Sequence, residues 1–170
     1  MDRASRHEFF AQQYQAYLPR VLNYVRLRID DEALAQDLTA LTFERALAKL
    51  ASLRDEKAFG GWLFAIARNI IAGYYRRQRH EMPLESVADR PAPNISAESQ
   101  VVQSEELETL RAALSHLSER EQEIIRLRFV AELPHRAIGK TMKLRSGNVA
   151  VILYRALRKL RAHLDAEENR

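Results

Sequence analysis

The chain has 170 residues, 46% hydrophobic and 29% charged, with a formal net charge of +4 and a pI near 9.6; this is enough apolar material for one medium core or two small ones, and it excludes disorder from end to end. Cysteine is absent, which rules out a disulfide framework, thiol catalysis, thiol redox sensing and a cysteine-ligated metal site, and suits a reducing cytoplasm. No uncharged apolar run approaches the roughly 18 residues of a membrane span, and positions 1–10 carry no apolar segment, so a cytoplasmic chain without direct membrane insertion is expected.

Helical periodicity runs through the sequence, no strand-like alternation stands out, and the five glycines and five prolines fall mostly between periodic segments. A first helix is expected from Ser5 to about Arg28, with Phe9, Tyr17, Val21, Tyr24 and Leu27 among its apolar positions. Asp30 and Asp31 supply a cap for a second, about Glu32 to Leu50, whose Leu34, Leu38, Leu41 and Phe43 can turn inward. Asp55 and Glu56 open a third that ends near Arg76 to His80, where cations suit a helix C-terminus. Pro83, Pro91 and Pro93 break any period between Met82 and Ala97, which reads as an extended linker. Beyond it the pattern predicts a helix from about Ser99 to His116, then one opened by the capping-box pair Ser118 and Glu121 and reaching about Phe129. Pro134 sits in the first turn of a short helix to about Met142, and Ser146 can cap a final helix to about Leu164. The expected fold is therefore all-α: two small helical domains, 1–80 and 104–165, joined by a flexible acidic linker at 81–103 and followed by a tail at 166–170.

Charge follows the same division. Lys57 to His80 contains no acid, Glu81 to Glu108 sets seven acids against the single Arg90, and Leu133 to Leu164 is again acid-free with eight Lys and Arg. Two basic modules around an acidic spacer are what a chain needs if both modules meet a polyanion and the spacer must not.

The two C-terminal helices, joined through Lys143 to Ser146, form a helix-turn-helix candidate, in which the second helix lies in the major groove of DNA. Val149, Leu153, Ala156, Leu157 and Leu160 share its core side, while Asn148, Val151, Arg155 and Arg158 share the opposite one. That outer side carries an amide, an apolar group able to meet a thymine methyl, and two guanidiniums for guanine edges or phosphates. A plain helix pair with a solvated basic face has the same geometry, and the acid depletion speaks against it.

In the first module Phe59, Leu63, Ile66 and Ile70 line one side of a helix, and Trp62, Asn69 and Arg76, seven apart, run along its flank. Aromatic faces replace lost stacking, amides read unpaired edges and cations hold phosphate, so this helix suits melted DNA. Trp62, Tyr74 and Tyr75 could equally serve as core or rim aromatics.

Two stretches carry a family resemblance. LSEREQEIIRLRFVAELPHRAIGKTMKLRSGNVAVILYRALRKLRAHL, Leu117 to Leu164, resembles region four of extracytoplasmic-function (ECF) sigma factors of the sigma-70 family, and WLFAIARN with its Arg-rich end resembles their regions 2.3 and 2.4. The resemblance implies a non-enzymatic factor that carries core RNA polymerase to promoters, usually under an anti-sigma factor. It implies minus-ten contacts at Trp62, Asn69, Tyr75, Arg76, Arg77 and Arg79, with Ser52 to Ala58 helping to form a pocket for a flipped base. It implies minus-thirty-five contacts at Arg145, Ser146, Asn148, Val151, Arg155 and Arg158. ALAQDLTALTFERALAKL, Ala33 to Leu50, resembles region 2.2, which docks on the clamp helices of the polymerase largest subunit; Asp37, Leu38, Leu41 and Arg45 would make that contact, and the second module would meet the flap. Departures from the pattern are Ala40 and Leu41 for a Gln-Glu pair, Arg136 and Ala137 for glutamates, and Ala150, Val151 and Ile152 for Lys-Ser-Arg.

Two other readings stay open on sequence: a helix-turn-helix regulator working without polymerase, and a protein-interaction module that sequesters a regulator. The five histidines lack metal-ligand spacing, Asp37 and Asp55 have no histidine partner nearby in sequence, and there is no glycine-rich phosphate loop, so no catalytic site, metal, cofactor or small-molecule substrate is expected.

Overall fold

The computed structural model describes residues 3–81 and 98–168, and among these every regular element is helical. Of the expected linker, 81–103, residues 82–97 lie outside the described residues, while Glu81 is the last residue of the third helix and 98–103 are already helical. Among the described residues seven α-helices follow one another: α1 (Arg3–Arg26), α2 (Glu32–Lys49), α3 (Phe59–Glu81), α4 (Glu98–Ser115), α5 (Glu119–Ile125), α6 (His135–Met142) and α7 (Ser146–Glu168).

The first cluster is α1 to α3. Asp31 caps α2, its carboxylate accepting the Leu34 N–H at 3.0 Å, while Asp30 instead pairs with Arg111 of the second cluster at 3.0 Å. Asp55 accepts the Lys57 N–H at 3.0 Å and so opens a 3₁₀ turn, Glu56–Ala58, that feeds α3 at Phe59. Val21, Tyr24, Phe59, Leu63, Phe64 and Ile71 are fully enclosed, and Phe10 meets Phe43 and Phe59 edge to face at 6.4 Å. Each such side chain contributes about 1.5–3 kcal/mol on leaving water, so these positions account for the cluster's cohesion.

The second cluster is α4 to α7 around Leu114, Ile124, Leu127, Ile138, Val149 and Ala156. The expected Ser118 and Glu121 box forms in both directions: the Ser118 hydroxyl accepts the Glu121 N–H at 3.3 Å, and the Glu121 carboxylate accepts the Ser118 N–H at 2.9 Å. The α-helix then widens into a π turn at Arg126–Val130 where one unbroken helix to Phe129 was expected. Periodicity cannot foresee such a turn, because it changes the hydrogen-bond register and not the residue types. Pro134 is the N-cap of α6 and not a member of its first turn, and Ser146 is the first residue of α7 and not its cap. Leu157 corrects the assigned core stripe: it is 41% exposed, since Val149, Leu153 and Ala156 already fill the contact with the rest of the cluster.

The two clusters pack on one another. α1 and α3 face the π turn and α6, with the Thr141 hydroxyl donating to the Gly61 carbonyl at 3.3 Å and Arg20 pairing with Glu132 at 2.6 Å. The two glycines at the start of α3 serve different neighbours: a Cβ on Gly60 would lie 2.6 Å from the Tyr17 hydroxyl of α1, and one on Gly61 would lie 3.4 Å from the Ala137 Cβ of α6.

Candidate nucleic-acid and polymerase surfaces

The helix-turn-helix depends on how α6 ends. Lys143 takes a left-handed conformation, φ 56°, which turns the chain so that the Leu144 N–H donates to the Gly139 carbonyl at 2.7 Å. The returning chain runs so close over α6 that a Cβ at Gly139 would stand 2.6 Å from the Leu144 carbonyl oxygen. α7 therefore leaves at a fixed angle, with Val149 and Ala156 enclosed beneath it and Leu153 nearly so. Arg145, Ser146, Asn148, Val151, Arg155 and Arg158 are all exposed, Val151 by 48%. Tyr154 was missed by the sequence reading; it is 64% exposed on the same helix, and the Arg158 guanidinium lies 6.0 Å from its ring centre. The signal that could have found it is its spacing of three from Val151 and four from Arg158.

On α3 the expected flank is present. Asn69, Arg76, Arg77 and Arg79 are exposed, and Trp62 is half-buried with its ring 5.7 Å from that of Phe59. Tyr75 has a structural tie, since its hydroxyl donates to the Arg28 carbonyl and fixes the end of α3 to the α1–α2 turn. The exposed cations end α3, where the helix dipole favours positive charge and lowers the cost of clustering them. Ser52 and residues 54 to 57 of the preceding loop are exposed as well.

On α2, Asp37 and Arg45 are exposed and Leu41 is half-buried. Leu38 corrects the expected docking set: it is 5% exposed and packs inside the cluster, one helical turn before Thr42, whose hydroxyl donates back to the Leu38 carbonyl at 2.7 Å.

Electrostatics separate structural from available charge. Hydrogen bonding from Lys159 at 2.6 Å holds the Glu121 carboxyl below the usual carboxylate range, with the Ser118 N–H adding to it, so Lys159 belongs to the scaffold. Burial, and then the Glu123 charge, push the Tyr24 hydroxyl well above its ordinary value, so it remains a donor. Among the described residues no group of three or more His, Asp or Glu side chains could hold a metal ion, and no helix is long and apolar enough to cross a membrane.

Known proteins match both clusters. The model of Sigma-70 region 2 matches residues 13–81, and that of Sigma-70, region 4, matches residues 113–162. The ECF RNA polymerase sigma factor BldN of Streptomyces coelicolor is 31% identical over 161 residues, which are 93% of this chain and 61% of that protein, so this chain spans less than two thirds of its length. The ECF RNA polymerase sigma factor SigM of Bacillus subtilis is 28% identical over 149 residues, 88% of this chain and 91% of that protein. Among solved structures, the sigma factor RpoE in complex with the anti-sigma factor NepR from Bartonella quintana superposes with a TM-score of 0.66 at 25% identity, covering 92% of this chain and 96% of that one.

Proposed function

We propose, since this chain belongs to the sigma-70 family as an ECF sigma factor, that it binds core RNA polymerase and directs it to promoters without catalysing a reaction. The observation that carries the proposal is that two acid-free surfaces, one on α3 and one on α7, stand exposed on helices whose other sides are locked into cores. The division of labour follows the chemistry of each. Trp62, Asn69, Tyr75, Arg76, Arg77 and Arg79 would take the minus-ten element, where strands separate and unpaired bases need stacking, amide contacts and phosphate neutralisation. Arg145, Ser146, Asn148, Val151, Arg155 and Arg158 would take the minus-thirty-five element as duplex, through the major groove. Val151 offers a thymine methyl an apolar neighbour where the family carries a polar residue, which would shift the preferred sequence of that element. Asp37, Leu41 and Arg45 would meet the polymerase clamp helices, with residues 1–80 and 104–165 as the working units and 81–103 between them.

A regulator acting on duplex DNA alone would have no use for the exposed α3 flank, and this favours the sigma-factor reading. As in the Bartonella relative, an anti-sigma factor is the expected partner in control. The proposal is tested by selecting fragments from a random duplex library with this protein plus core polymerase. Enrichment of two spaced elements is expected with the pair and not with core alone, and equal enrichment without polymerase would contradict it.

A further inference from the structure

The outer line of α7 runs through Gly147, Val151, Tyr154 and Arg158, at steps of four, three and four, so these positions follow one another along one side of the helix. A Cβ on Gly147 would meet no atom within 4 Å, so the line opens on bare backbone facing free space. Val151 follows, and then Tyr154, the most exposed large hydrophobic side chain among the described residues. The Arg158 guanidinium beside the Tyr154 ring ends the line on a cation. Single exposed apolar side chains are ordinary on a protein surface. Two in line, on the helix that a helix-turn-helix offers to base edges, are not accounted for by packing, because Val149, Leu153 and Ala156 already fill the core side.

From this we infer that Tyr154 is a specificity-determining residue, and that with Val151 it reads thymine methyl groups, so that the duplex element bound by α7 is rich in A·T pairs and recognised through its methyls. The inference rests on the function proposed above and deepens it. The C5 methyl is the apolar feature that a base pair presents in the major groove, carried by thymine and absent from cytosine. Beside the line, Asn148 is exposed and has the donor and acceptor that match adenine N6 and N7, so the amide and the apolar pair favour the same base pairs. Guanine is matched by a guanidinium near the start of the reading helix. Here the first cation within α7 is Arg155, a full turn beyond Val151, and Arg145 precedes the helix in the turn. These two and Arg158 flank the line, in a segment free of acid from Leu133 to Leu164, and suit phosphates, which hold the helix without naming a base.

The test takes the duplex element enriched with this protein and core polymerase and replaces its thymines, one at a time, by deoxyuridine, which pairs identically and lacks only the methyl. Affinity of the full chain with core polymerase should fall about fourfold at each contacted thymine, the worth of one methyl removed from water. Tyr154→Ser and Val151→Ser should weaken binding to the thymine duplex and make binding indifferent to deoxyuridine at the thymine each side chain meets. Tyr154→Phe, which keeps the apolar ring, should retain the difference. A variant that merely loosened α7 would bind both duplexes less well and leave their ratio unchanged, so an unchanged ratio in folded Tyr154→Ser overturns the inference. If Tyr154→Ser loses its helical circular dichroism, Val151→Ser decides in its place. An enriched element without thymine, or one indifferent to deoxyuridine at every position, also overturns it, as does weaker co-elution of Tyr154→Ser with core polymerase at an unchanged ratio, which would set the line against protein. Enrichment of no element at all counts against the proposed function itself and removes the inference with it.

Discussion

At Asn69 a carboxamide stands exposed on a helix whose neighbouring positions, Ala67 and Ile70, are buried, so the amide is presented by a rigid element and not by a loop. A single amide of this kind can read an unpaired base edge, and its loss should be felt after polymerase binding and not during it. Asn69→Ala is expected to lower open-complex formation about tenfold, the equivalent of one lost interaction of ~1.4 kcal/mol, with core-polymerase affinity unchanged; permanganate reactivity of promoter thymines and co-elution with core enzyme read the two separately. Gly139 presents the opposite case, a residue whose whole contribution is absence of a side chain. Gly139→Ala places a methyl against the Leu144 carbonyl oxygen, a backbone atom that can yield only by reopening the turn. A destabilisation of about 1–3 kcal/mol is expected, measured by denaturant unfolding, together with loss of duplex binding, because the angle between α6 and α7 is set there.

At the scale of elements, two caps were legible, while the starts of α6 and α7 and the packing partners were not. Asp31 and the Ser118 and Glu121 box were readable because a cap is written within four residues of the chain, and the structure uses both. The π turn at Arg126–Val130 and the burial of Leu38 were not, since the first is a matter of register and the second of which neighbours fill the space beside an apolar stripe. The box at the start of α5 also carries a pH response. Lys159 holds the folded-state value of Glu121 below its unfolded one, so Glu121 contributes stability above the unfolded value of about 4.3, and that contribution is lost as pH falls through the lower folded value. Thermal unfolding across this acid range should show a steeper fall for the unsubstituted protein than for Lys159→Met. Equal slopes would mean that the ion pair adds nothing.

At the scale of the molecule, the sequence conveys two basic, acid-free helical modules, but not that the modules pack on one another. Tyr24 and Glu123 stand 99 positions apart, and no local pattern links a tyrosine in one apolar stripe to a glutamate in another. The exposure of Asn69 and Arg76 on α3 was legible because two polar groups at a spacing of seven have no common role in a core, whereas Trp62, on the same spacing, is half-buried against Phe59. What the fold adds is the separation of cations into those spent on structure, such as Arg28, Arg126 and Lys159, and those left on the surface, such as Arg76, Arg155 and Arg158. The proposed function requires the second group to meet promoter DNA in company with polymerase. Run-off transcription from a fragment selected with core polymerase tests that most directly: transcripts of one defined length should appear only when the protein and core enzyme are both present and should fall sharply with Asn69→Ala or Arg155→Ala, whereas no transcript from any selected fragment, or one indifferent to both substitutions, would contradict it.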